Sequence, residues 1–278
     1  MPDQNKQKVV CILGMHRSGT SALTRIVNLV GVYLGHENSI RIEPAYDNGK
    51  GHWEHKEIAL INEAILQRFG GSWHEPPIMP DGWEKSPILN DLRNDARHLI
   101  ERQFASFTLW GWKDPRTCLT LRFWQQFVNN VHYILSLRNP VDVASSLQRR
   151  DEFPAERSFQ LWLTYVCSAL KYSEGKPRIT IFYEDLIRDP AEKMNRIAEF
   201  LDQREGAWKG DAQTKAQTFI AKELQHHYSP LLDATFRSSA ERSAKALYLA
   251  QRICTNVLRR DIEELSKTLE ILAFGPNY

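Results

Sequence analysis

Residues 9–21 read VVCILGMHRSGTS, and the fold turns on how this stretch is read. Val9 to Leu13 is a short apolar run rich in β-branched side chains and closed by Gly14, the pattern of a strand buried on both faces. Leu23, Ile26, Val27 and Val30 follow at i, i+3, i+4 and i+7, one face of a helix, and Gly31 marks its stop. Between strand and helix lies Gly14 to Ser21, GMHRSGTS. Unpaired amides at a helix N-terminus and the helix dipole both attract an anion there, and glycines let the backbone approach it closely. The spacing of Gly14 and Gly19 matches GxxxxGK[ST], but Thr20 stands where the lysine belongs and Arg17 supplies the cation. A guanidinium can grip phosphate or sulfate oxygens with a two-pronged fork. By itself the segment is compatible with a structural turn, or with the phosphate loop of a kinase or NTPase. The missing lysine, and the lack of an acidic metal ligand at a strand end, count against the kinase.

Further along, Thr108 to Trp112, Val131 to Leu137 and Arg178 to Tyr183 have the composition of buried strands. Helical patterns separate them, as parallel βαβ winding requires. One helix is expected from about Glu54 to Phe69, carrying Ile58, Ile61, Ile65 and Leu66 on one face. Others are marked by Leu92, Ala96, Leu99 and Ile100, and by Phe159, Trp162, Leu163 and Val166. Asp189-Pro190 opens another, with a capping side chain before a first-turn proline, and Met194, Ile197, Ala198 and Leu201 continue it. Glu241 to Leu272 carries an apolar stripe through Leu247, Cys254, Leu258, Ile262, Leu265, Leu269 and Leu272. Gly35 to Gly51 reads as a loop, and Gly70 to Pro87, with four prolines and three glycines, as a long irregular segment. The expectation is an α/β protein: a P-loop-like parallel sheet flanked by helices, one domain over residues 1–278. Its motifs fall in about 9–201, with a helical C-terminal extension over about 240–272.

Bulk properties narrow the class. With 278 residues the chain can bury a sizeable core, and 42% apolar with 25% charged residues is ordinary for a globular protein. A net charge of +2 gives no broad footprint for nucleic acid. The four cysteines, Cys11, Cys118, Cys167 and Cys254, show no CxxC and no zinc spacing. Reduced thiols in the cytoplasm are the simple reading. Met1 to Lys8 lacks the apolar run of a signal peptide, and no window is long and apolar enough to span a bilayer.

A second motif lies in Val131 to Arg150, VHYILSLRNPVDVASSLQRR. The strand ends at Arg138, Pro140 opens a helix, and Ser146 follows Arg138 by eight residues. Asp142, Ser145, Ser146, Arg149 and Arg150 fall on one helical face. That face is either a solvated polar surface or, with Arg138, one wall of a phosphate site.

Together the two motifs resemble the PAPS-dependent sulfotransferases (PAPS, 3′-phosphoadenosine-5′-phosphosulfate), in particular the branch whose 5′-phosphosulfate loop carries RSGT rather than KSGT. The resemblance covers about Val9 to Leu201. It implies that Arg17, Ser18, Gly19, Thr20 and Ser21 hold the 5′-phosphate and the transferring sulfuryl group. It also implies that Arg138 and Ser146 hold the 3′-phosphate of PAPS, and of the PAP that leaves. Arg149 and Arg150 are possible helpers there.

In-line sulfuryl transfer needs the leaving phosphate neutralised, the acceptor placed and its proton removed. Residues 51–55, GHWEH, precede the second helix, and Lys50, Gly51, Trp53 and Glu54 are similar to the family's KGxWE-like segment. The resemblance makes Glu54 the general base, against its reading as an acid favoured by the helix dipole. His52 and His55 are rivals for the role, since imidazole titrates near neutrality. Lys113, in a KDPR segment at a strand end, is expected near the reacting group to stabilise the bridging oxygen or protonate the leaving phosphate. Asp114 and Arg116 read as a structural ion pair. Tyr183, in YEDL, either contacts adenine or packs. The glycine-rich basic segment that closes the 3′-phosphate site in relatives has no clear counterpart; Lys209-Gly210-Asp211 is the nearest. Acidic residues near the second loop (Glu37, Glu43, Asp47, Glu54, Glu57) make a cationic acceptor conceivable, beside a carbohydrate or small polar metabolite. The expected activity is sulfuryl transfer from PAPS to a hydroxyl or amine, with no metal. A phosphate-loop kinase and a non-catalytic nucleotide-binding protein remain alternatives.

Overall fold

The computed structural model describes residues 7–43, 51–203, 211–220 and 238–259. Its centre is a four-stranded, wholly parallel sheet in the order β2-β1-β3-β4. The chain enters through β1 (Lys8–Leu13), turns through residues 14–19, and continues as α1 (Thr20–Leu29). Helices α2 (Lys56–Arg68) and α3 (Asn90–Phe104) precede β2 (Leu109–Lys113) and α4 (Thr117–Trp124). Next come β3 (Val131–Leu137), α5 (Pro140–Asp151), α6 (Ala155–Tyr172) and β4 (Arg178–Phe182). The chain finishes with α7 (Tyr183–Arg188), α8 (Pro190–Phe200), α9 (Asp211–Ile220) and α10 (Ser239–Arg259).

Alternation along β1 divides the core into two layers. Val9, Cys11 and Leu13 face apolar residues of α2 to α6 and α10, whereas Val10 and Ile12 face α1, α8 and α9. All these β1 side chains are buried, which is why the strand reads as one apolar run rather than an alternating one. Asn139 and Asp189 cap α5 and α8, their Oδ1 atoms accepting from Val141 N at 3.0 Å and Glu192 N at 2.9 Å. Caps of this kind contribute about 1 kcal/mol each.

The four strands lie within a residue of their expected ends; β4 stops at Phe182 because Tyr183 already begins α7. The helix expected from Glu54 begins instead at Lys56 with His55 at its N-cap. Residues before it pair with the preceding loop: Arg41 N donates to Glu54 O (2.9 Å), Trp53 N donates to Arg41 O (2.8 Å), and Ile40 bridges His55. Gly70 to Pro87 is irregular as expected, apart from short 3-10 turns at Trp83–Lys85 and Pro87–Leu89. The C-terminal extension is seen as α10, which packs on α5 and α6. Ile262, Leu265, Leu269 and Leu272, the side chains of Cys254 and Leu258, Asp47, Lys50 and Lys209-Gly210 lie outside the described residues.

Strand order, more than any single element, positions the site. β1 is flanked by β2 and β3, so the connection out of β1 leads to one side and the next strand returns on the other. That is a switch point, where a crevice opens beyond the strand C-termini. Leu13 lies beside Leu135, and Ile12 beside Lys113. The loop after β1, the end of β2 and the end of β3 therefore meet at one edge.

Candidate active site

The loop after β1 is held in a shape few sequences tolerate. Gly14, Arg17 and Gly19 have φ of 149°, 66° and 78°. Ser18 N closes a turn on Met15 O at 3.2 Å, and Ser136 Oγ of β3 donates to Ser18 O at 2.8 Å. A Cβ on Gly14 would lie 2.7 Å from Ser136 O, and one on Gly19 would overlap the Tyr183 ring, 2.7 Å from Cε2. Both glycines are thus required by what the sheet and α7 press against the loop. Thr20 and Ser21 start α1, so its amide-rich end faces the same crevice.

The two motifs join here. Arg17 Nε donates to Ser146 Oγ at 2.9 Å, and Arg138 Nη1 donates to Arg17 O at 3.1 Å. The Arg138 guanidinium stands 4.6 Å from the centroid of the Tyr183 ring, which also lies against Gly19. Ser18 Oγ and Arg138 Nε are buried without a hydrogen-bond partner among the described residues. A buried unsatisfied donor costs about 1–3 kcal/mol, so two of them on one cationic surface suit an anionic ligand. The polar face expected on α5 is split: Asp142 and Ser146 are buried, while Arg149 is exposed. The Arg150 guanidinium lies 5.2 Å from the centroid of Trp73, and its Nε donates to Asp151 at 2.8 Å.

A second cluster adjoins the loop through Ser21. Lys113 and Glu54 are almost fully buried, at 2% and 6% exposure. Lys113 Nζ donates to Glu54 Oε1 (3.0 Å), His52 O (2.7 Å) and Ser21 Oγ (3.4 Å); Ser21 Oγ also donates to His52 O at 2.9 Å. Arg41 and Arg116 stand 3.7 and 3.8 Å from Glu54 Oε2. Glu54 therefore precedes the helix rather than sitting at its dipole, and cationic side chains, not backbone amides, surround it. Asp114 and Arg116 form the expected ion pair, bidentate at 2.9 and 2.7 Å, with Glu63 Oε2 3.1 Å from Arg116. Burial works to raise the Asp114 pKa, but the Arg116 guanidinium and Lys113 bring it below the usual value. Glu57 is paired with Arg102 at 2.6 Å. The acids that suggested a cationic acceptor are thus matched by arginines and a lysine at Glu54 and Glu57.

Of the two rival histidines, His52 is half-buried and lends its carbonyl to this cluster. His55 is instead sealed against Phe104, ring centroids 5.6 Å apart, and against Gly35. Burial above all lowers its pKa to about 4. Its ring nitrogens find no partner among the described residues, and it stands outside the Lys113 cluster. His16, within the loop itself, is not singled out by the motif's spacing. Its ring lies 4.5 Å from Trp73 and edge-on to Tyr165 at 5.7 Å, with Nε2 buried and unpartnered among the described residues. Burial, then Arg116, Arg150, Lys113 and His52, hold it well below the ordinary imidazole pKa and hence neutral. Its presence in GMHRSGTS was the one signal available; which way the ring turns was not encoded there. Among the described residues no group of three His, Cys, Asp or Glu side chains is placed to hold a metal, and no helix is long and apolar enough to cross a membrane.

Comparison with known proteins bears on the family and the fold. The sulfotransferase domain model matches residues 7–230. The sulfotransferase domain of the Synechococcus PCC 7002 olefin synthase superposes with a TM-score of 0.51 at 18% identity, over 89% of this chain and 96% of that one. The sulfotransferase domain from the curacin biosynthetic pathway gives 0.50 at 16%, over 87% and 97%. Sulfotransferase STF9 of Mycobacterium avium gives 0.51 at 14%, over 88% and 76%. At these identities the likeness is one of fold. A local match, 38% identical over 63 residues, to the pre-mRNA-splicing factor SYF1 of Eremothecium gossypii takes in 22% of this chain and only 8% of that protein. The α/β fold and the domain match across most of its length place this chain in the sulfotransferase family.

Proposed function

We propose that the chain transfers a sulfuryl group from PAPS to a hydroxyl or amine of a carbohydrate or small polar metabolite. The observation that carries this reading is the junction at Arg17. One guanidinium links the loop after β1 to Ser146, while Ser18 Oγ and Arg138 Nε beside it are buried without partners among the described residues. A nucleotide with phosphates at both ends of its ribose would engage both motifs at once. In this reading Arg17, Ser18, Gly19, Thr20 and Ser21 hold the 5′-phosphosulfate, as in the RSGT branch. Arg138 and Ser146 hold the 3′-phosphate, with Tyr183 beneath Arg138.

Glu54 acts as general base on the acceptor, and His52 is the alternative. The acceptor's oxygen or nitrogen loses its proton to the base as its bond to sulfur forms. The bond from sulfur to the bridging phosphate oxygen breaks, and PAP leaves. Lys113, already hydrogen-bonded to Glu54 and Ser21, is placed between base and loop, where its charge offsets the negative charge gathering on the bridging oxygen. The same reading takes the chain as one catalytic domain working in the cytoplasm, in keeping with free thiols at Cys11, Cys118 and Cys167.

Calorimetry with PAP and with Mg²⁺-ATP tests it. Binding of PAP well ahead of ATP, and transfer of labelled sulfate from PAPS in an acceptor screen, are the expected results. Preference for Mg²⁺-ATP would put a kinase in its place, and PAP binding without transfer a nucleotide-binding protein.

A further inference from the structure

The Tyr183-Glu184 pair at the start of α7 faces two ways. Toward the crevice, the Tyr183 ring is covered by Arg138 and seats against Gly19. Toward the interior, Glu184 Oε1 accepts the amide of Asn139 at 2.8 Å, and Oε2 accepts the Tyr248 hydroxyl of α10 at 2.8 Å. Arg252, one turn further along α10, reaches both Asp185 oxygens at 3.2 Å and donates from Nε to Tyr248 Oη at 3.2 Å. Its guanidinium also lies 4.4 Å from the centroid of Phe182, at the end of β4. Burial raises the Glu184 pKa, opposed by the donors of Asn139 and Tyr248 and by Arg252. This carboxylate, largely but not fully covered, joins three chain segments.

The position of Asn139 gives the junction its meaning. Its amide directly follows Arg138, and its side chain caps α5, the helix that carries Ser146. Holding Asn139 N therefore sets the strand end that aims Arg138 and the origin of the helix that presents Ser146. The Trp162 indole adds a second tether, donating to Arg138 O at 3.2 Å.

We infer that Tyr248 and Arg252 of α10, acting through Glu184 and Asn139, are positioning residues for the 3′-phosphate site, so that the C-terminal helix governs selection of nucleotides bearing a 3′-phosphate. The inference rests on the assignment of Arg138 and Ser146 to that phosphate. It gives the site a buttress from a part of the chain with no glycine-rich basic motif. A purely packing role for α10 predicts something different, because loosened packing weakens binding of any nucleotide alike.

The test uses the full chain and two ligands, PAP and AMP, which lacks the 3′-phosphate. Tyr248→Phe keeps the ring and its edge-on contact with Phe182 (5.4 Å) but removes the donor to Glu184. Its Kd for PAP is expected to rise about ten-fold, the scale of one hydrogen bond to a charged group, and its Kd for AMP less than about two-fold. Arg252→Met is expected to shift the PAP-to-AMP ratio the same way, and it stands in if the first variant does not fold. Unchanged PAP affinity in a folded variant, or equal weakening toward both ligands, overturns the inference while leaving the nucleotide site intact. A wild-type protein that does not prefer PAP to AMP overturns the 3′-phosphate assignment itself, and this inference with it.

Discussion

Replacing Gly19 by alanine separates two physical demands that the loop after β1 makes on one residue. Its φ of 78° lies in the left-handed region, which costs an L-residue about 1–2 kcal/mol. A Cβ there would also overlap the Tyr183 ring. Tyr183 is buried beneath Arg138, so the ring cannot yield without disturbing the cation that rests on it. Overpacking of this kind adds about 1–3 kcal/mol. Gly70 supplies the control, because it has the same φ of 78° but a Cβ added there would meet nothing within 4 Å. Urea unfolding of Gly70→Ala is expected to show the backbone cost alone, about 1–2 kcal/mol, and of Gly19→Ala a total of about 2–5 kcal/mol. Calorimetry on the folded fraction should find PAP affinity lost in Gly19→Ala and retained in Gly70→Ala. Equal destabilisation of the two variants, with PAP binding intact in both, would refute the seating of Tyr183 on the loop.

Other expectations follow from the same geometry. Arg138→Ala and Ser146→Ala should each raise the Kd for PAP, by about ten-fold or more for the arginine; unchanged titrations would remove the 3′-phosphate assignment. Glu54→Gln should cut turnover steeply while PAP affinity stays near wild type, and survival of turnover would pass the role of base to His52. His55 has a folded pKa lowered to about 4, so it takes up a proton more readily when unfolded. Its contribution is full well above the unfolded value near 6.5 and is lost as pH falls, about 1.5 kcal/mol between pH 6.5 and pH 5. Urea unfolding of His55→Leu should show a shallower loss over that window than wild type, and parallel curves would contradict the burial argument. Transfer activity should persist in EDTA, and its loss on chelation would favour the kinase.

Local pattern carried the architecture a long way. The apolar run before Gly14, the helical spacing after Ser21 and the Asn139-Pro140 and Asp189-Pro190 signals each describe neighbours in the chain, and each appears in the structure close to where its period ends. Arg17, Arg138 and Ser146 were legible as a group because their motifs resemble a known family. Glu54 was legible as a candidate base at a helix N-terminus but not in its setting: backbone pairing with Arg41 keeps it outside the helix, and its carboxylate meets Lys113.

From the sequence alone came a parallel α/β fold, written in short-range periodicity and glycine placement, and a resemblance to the sulfotransferases carried by the motifs around Arg17 and Arg138. Only the tertiary structure decided that β1 lies between β2 and β3, and with it which distant side chains meet. The Glu54–Lys113 pair, His16 against Trp73, Tyr183 on Gly19 and the reach of Tyr248 to Glu184 all depend on that order. A strand's own residues record that it is buried and not which strands stand beside it, because burial rewards apolar surface without regard to the neighbour that covers it.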